Sequence, residues 1–248
     1  MKILKNFFNF IIKNTLSIQM RLLFVLCLLQ TFGSFAQNCG FQFDISCDTS
    51  AFDFASYKDS LSYYQSFYGR KKEAKIEDEK LKLAFYVALR HYPELNDASL
   101  NLKLKSISTT MQAQPKWTFI FRTKENRGYQ ILINRDNTIN GMYYKDLSFN
   151  SLVGWIGHEL AHILDYSKKD NGEMIAFIAD YVTSKERMRK TETKADKETI
   201  RHGLGIQLLD GVTFFHNSKR ISREYRERKK NYYLSPEEIV AEIKQNCD

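Results

Sequence analysis

Apolar residues along this chain recur at two periods, three-to-four and two, and the switches between them outline the elements. Residues 38–51 show neither period and read as an irregular lead-in. Residues 52–68 and 72–91 carry helical spacing. In the second of these, Ile76, Leu81, Leu83, Ala84, Phe85, Val87, Ala88 and Leu89 form a broad stripe that stops before Pro93. Leu100, Leu102 and Leu104 then alternate with polar residues, as do Trp117, Phe119 and Phe121, and Tyr129, Ile131 and Ile133. These predict three strands. Loop signals fill 134–141. Helical spacing returns over 149–166, over 172–189, and in a third helix that carries Glu192 and runs to Gly203 or beyond. Ser235-Pro236-Glu237-Glu238 has the form of a helix start, with a Ser cap, Pro at the first helical position and Glu at the third. Strands before residue 148 and helices after it predict an α+β fold.

The 149–166 helix carries the chemistry. It contains His158-Glu159-Leu160-Ala161-His162, and Leu152, Val153, Trp155, Ile156, Leu160, Ile163 and Leu164 cover most of its circumference. A helix apolar all round is buried. Histidines at i and i+4 share one helical face and are close enough to share a metal. The adjacent Glu159 is placed to take a proton from a metal-activated water. A random chain of this length shows His-Glu-x-x-His about once in 150 cases, so the apolar context decides: polar side chains in a buried helix are costly unless paired, and a metal ion offsets that cost for all three.

A catalytic zinc needs a third protein ligand and keeps its fourth position for water. Asp165 and Lys168 stand where the extended metzincin pattern requires Gly and His, which excludes that family. Downstream, Glu192 and Asp196 lie at i and i+4 on one helical face. One can ligate while the other orients a histidine through its second ring nitrogen. Glu173, Asp165, Asp180, Asp196, Glu198 and His202 compete with Glu192 for the ligand role. His202 is also a candidate donor to a developing oxyanion.

His-Glu-Leu-Ala-His followed by Glu-x-x-Ala-Asp resembles the gluzincin metallopeptidases. Thermolysin-like members share the Glu-x-x-x-Asp logic, and HtpX-like members share the Ala before the Asp. The likeness covers about residues 149–211. It implies zinc held by His158, His162 and Glu192, with Glu159 as general base and Asp196 in support behind the ligands. It also implies a compact zincin-like domain in which a small mixed sheet lies over the motif helix, followed by a helical C-terminal part. The sheet's edge strand would pair with extended peptide, and the strand over 129–134 is the candidate edge. Residues 81–166 also resemble exported bacterial proteins that carry the same motif.

The order of residues at the N-terminus predicts export. Residues 1–36 hold Lys2, Lys5, Lys13 and Arg21, no acid, an apolar run over 22–29 and the small-residue ending Ser34-Phe35-Ala36. This is the order of a secretory signal peptide. Met20 is an alternative start. Eight apolar residues are too few to span a bilayer. Cleavage after Ala36 leaves residues 37–248 as a single domain, with a sheet-bearing part to about 148 and a mainly helical part over 149–248. It lowers the net charge from +8 to +4, which makes no case for nucleic acid. The basic run over 219–230 includes Glu224 and Glu227 and reads as a solvated helix face. Cys39, Cys47 and Cys247 remain, enough for one disulfide in an oxidising compartment, with open connectivity.

Two functions of different class follow. One is an exported zinc metallopeptidase acting on peptide or protein substrates; a zinc hydrolase of a non-peptide bond shares its chemistry. The other is a non-catalytic exported binding or structural protein on the same scaffold. An intact Glu159 favours the enzyme, because holding a metal does not require it.

Overall fold

Residues 50–137 and 142–247 are described by a computed structural model, and they form a mixed sheet backed by helices. The predicted signal peptide, Met20, Cys39 and Cys47 lie outside the described residues. After helical turns at Phe54–Tyr57 and Lys58–Ser60 come α1 (Leu61–Tyr68), β1 (Lys72–Ala74), α2 (Glu79–Arg90), β2 (Ser99–Lys105), β3 (Met111–Pro115) and β4 (Gly128–Asn134). The helical part follows as α3 (Phe149–Lys168), α4 (Asn171–Thr183), α5 (Lys185–Thr199), α6 (Gly205–Asn217), α7 (Arg223–Lys230) and α8 (Pro236–Cys247). The fold is α+β, with a helical C-terminal part as expected.

The sheet order is β1-β2-β4-β3. β1, β2 and β4 run parallel, with α2 as the crossover from β1 to β2, and β3 is antiparallel to β4. The 129–134 strand is therefore internal and not the edge expected for it. The edge on that side is β3, which periodicity missed because only Met111 and Ala113 of its residues are buried. Trp117–Phe121 is a 3-10 helix rather than a strand; Phe119 packs inward while Trp117 and Phe121 stand in solvent. β1 lies inside the stretch expected to be helical, and the helix begins only where the Asp78 side chain caps it. The expected helix over 172–189 is broken at Ser184, which accepts from the Arg187 N–H and starts α5 seven residues before Glu192.

α3 is the hub, packing on α2, α5, α6 and β3. Ser148 caps its start, and the buried Arg127 guanidinium donates to the carbonyls of Tyr166 and Lys169 at its end. A cation there also suits the negative end of the helix dipole. α5 passes into α6 through a π-turn at Ile200–Leu204, where Gly203 takes φ 74°, a left-handed conformation that favours glycine. The Ser235 and Glu238 side chains exchange bonds with each other's backbone N–H, forming the capping box expected at the start of α8.

The α3–α6 crossing is the tightest contact bearing on the site. A Cβ added at Gly154 would stand 2.3 Å from the Gln207 carbonyl group. Gly157 and Gly211 are crowded in the same way by Leu204 and Trp155. Small residues here let two backbones meet, so α3 has a fixed depth in the core. Gly154→Ala is expected to cost about 1–3 kcal/mol, the usual penalty of overpacking. Urea denaturation of this variant should show a lower midpoint, and an unchanged midpoint would mean that α3 and α6 part at no cost.

Candidate metal centre

Helical geometry sets His158 and His162 on one face of α3, and α5 crosses that face with Glu192 pointing in. The two Nε2 atoms are 3.1 Å apart, and Glu192 Oε2 lies 3.1 Å from one and 3.4 Å from the other. Ligand atoms about 2.0–2.1 Å from a tetrahedral zinc are themselves about 3.3 Å apart. The triangle therefore has the dimensions of one face of such a site, and this buried His-His-Glu group could hold a metal. All three side chains are nearly sealed from solvent, with relative exposures of 1%, 7% and 5%. Charges so placed need a compensating ion or proton.

The surroundings orient His158 and Glu192. Asp196, one turn past Glu192 and fully buried, takes His158 Nδ1 at 2.8 Å with Oδ1. This bond puts the His158 proton on Nδ1 and turns Nε2 toward His162 and Glu192. Asp196 Oδ2 accepts the Leu234 N–H at 2.9 Å. The Tyr181 hydroxyl of α4 donates to Glu192 Oε1, leaving Oε2 to face the histidines. The Tyr233 ring lies 5.6 Å from that of His158.

Electrostatics in the metal-free chain follow from these pairs. Desolvation works to lower the His158 pKa, but Asp196 and Glu192 outweigh it and raise it to about 10. Burial works to raise Glu192, yet the two histidines hold it well below the usual carboxylate range. Glu159 goes the other way: burial is its largest influence and raises its pKa. Glu159 is 7% exposed, and its Oε2 accepts the Ala113 N–H of β3 at 2.5 Å.

The rival ligands are occupied elsewhere. Asp165 pairs with Lys169 and Lys194. Glu173 closes the capping box of α4, and Asp180 is exposed near Arg187. Glu198 pairs with Arg201 and His202. His202 is not brought to the group. Its ring stacks on Tyr92 at 4.2 Å, with Nδ1 against the Glu198 carbonyl oxygen and Nε2 toward Glu94. The π-turn directs it there. Tyr181, Tyr233 and the Ala113 N–H, all near the group, carried no signal in the sequence, since each arrives from a separate element. No family model matches the chain, and no characterised protein or solved structure is significantly similar to it.

The geometry ranks the carboxylates. In a zinc titration Asp196→Asn should bind about 10- to 100-fold more weakly than wild type, the usual effect of losing a ligand's supporting partner. Glu192→Gln should be the worse of the two. The reverse order would make Asp196 the ligand.

Proposed function

We propose that this chain is a zinc-dependent metallopeptidase of gluzincin type, with His158, His162 and Glu192 as ligands and Glu159 as general base. The observation that carries this reading is the triangle of ligand atoms with Glu159 beside it in sequence and buried in the same core. Bound zinc would acidify a water and polarise the scissile carbonyl. Glu159 would take the water's proton and pass it to the leaving amine, and its burial-raised pKa suits a group that must hold a proton between the two steps. Asp196 keeps the His158 ring in the tautomer that leaves Nε2 for the metal.

A peptide substrate is supported by where Glu159 meets the sheet. Thr110 and Lys116 bond to β4, so Ala113 turns away from β4, giving its N–H to Glu159 and its C=O to the outer edge of β3. That edge can accept an extended chain antiparallel to β3, beside the general base. Export fits the leader-like first 36 residues and the disulfide at Cys247. No helix among the described residues is long and apolar enough to cross a membrane.

A second reading draws on the same bond. Glu159, buried and holding the Ala113 N–H, could serve as a strut between α3 and β3 in a non-catalytic protein. Glu159→Gln separates the two, because the amide is nearly isosteric but cannot act as a base. As a base, Glu159 lost to Gln should leave zinc content and thermal midpoint intact and cut hydrolysis of a peptide library at least about a hundredfold. A wild-type chain that cleaves nothing, with a variant that melts earlier, would support the strut.

A further inference from the structure

The basic run over 219–230 reads as a solvated face, and Arg223, Glu224, Arg228 and Lys230 do stand in solvent. Lys229 does not. It is half-buried, with Nζ 5.5 Å from the ring centre of Tyr233 and 5.8 Å from that of Tyr225. Cations in the last turn of α7 suit the helix dipole, which accounts for the solvated ones but not for a lysine turned inward. The segment after α7 is latched to α5: Thr193 donates to the Tyr232 carbonyl at 3.4 Å, and the Leu234 N–H reaches Asp196. These bonds fix Tyr233, and Lys229 above it, relative to the metal-binding group.

Among the described residues, no carboxylate comes within 4.0 Å of this ammonium and no hydrogen-bond acceptor meets it. Burial lowers its pKa, Glu192 and Glu159 oppose that shift, and the neighbouring Arg228 adds to it. Lys229 is thus within electrostatic reach of both site carboxylates while bonded to neither. Three N–H donors facing two aromatic rings have unused capacity for a negatively charged oxygen. The Tyr233 ring centre lies 5.6 Å from that of His158 and 5.5 Å from Lys229 Nζ, which sets the ammonium beside the histidine pair and outside the His-His-Glu triangle, so the oxygen it can reach belongs to the flank of a ligand. The ammonium binds as a point charge, and on a peptide held at the metal the anionic oxygens within its reach are carboxylates.

We propose that Lys229 is the specificity residue of this site and binds a substrate carboxylate next to the scissile bond, so that the preferred substrates are peptides with an acidic side chain or a free C-terminus at that position. This inference rests on the metallopeptidase reading.

Binding of zinc-chelating hydroxamates tests it without catalysis. Zinc content is measured first; a wild-type chain that holds no zinc takes down the metal reading and this inference together. On zinc-loaded protein, acetohydroxamate is compared by calorimetry with carboxyalkyl hydroxamates carrying two to five methylenes. At least one carboxylated probe should bind wild type about tenfold or more tighter than acetohydroxamate, the lower end for a charge-assisted hydrogen bond. Lys229→Met should lose that gain while keeping zinc and its affinity for acetohydroxamate, which shows that it has folded, and Lys229→Arg should keep most of it. Equal binding of all probes to wild type, including none, overturns the assignment and leaves the metal reading standing. Loss of zinc from a folded Lys229→Met would also overturn it, because the lysine would then neutralise the site's carboxylates. Hydroxamates coupled to glutamic acid amide and to glutamine with a free carboxyl end separate a side-chain source from a terminal one.

Discussion

Four ionisable side chains, His158, His162, Glu192 and Asp196, meet in the interior with almost no access to water. Taking them out of water is costly, and their mutual bonds must repay that cost. The arrangement does so by pairing these side chains with one another and with neighbouring groups. Asp196 holds His158 and the Leu234 N–H, and Glu192 divides its two oxygens between Tyr181 and the histidines. Because α3 and α5 carry all four, the site exists only while those helices keep their spacing.

That spacing is set by contacts outside the site. Gly154, Gly157 and Gly211 let α3 sink against α6 and the π-turn, Arg127 holds the end of α3, and the antiparallel strand β3 lies along it. Position also divides labour among acids of similar chemistry. Asp165, paired with two lysines, is held below its usual pKa despite burial. Glu159, sealed beside β3, is pushed up instead.

The C-terminal segment gives the site its asymmetry. α3 and α5 supply the His-His-Glu group, while residues 225–234 bring the rings of Tyr225 and Tyr233 and the Lys229 ammonium to one flank. Asp196 joins the two halves, since one carboxylate orients a histidine and anchors the segment carrying Tyr233.

The sequence by itself determined the buried helix over 149–166, the histidine pair on one face, and a second helix with Glu192 and Asp196 on one face. Those features are local: a period of 3.6 and an i, i+4 spacing are properties of a few consecutive residues. It also determined the α+β order and the start of α8, where four residues form a self-contained cap. Tertiary structure decided what depends on distant partners. The 129–134 strand is internal because β3, with its weak alternation, pairs outside it. Which carboxylate meets the histidines was settled by how α5 crosses α3, and His202 was turned away by a π-turn that spacing along an ideal helix does not anticipate. Lys229 lay hidden in a charged run because the burial of one lysine among solvated neighbours is imposed by the surface it packs against, and its own sequence carries no trace of that surface.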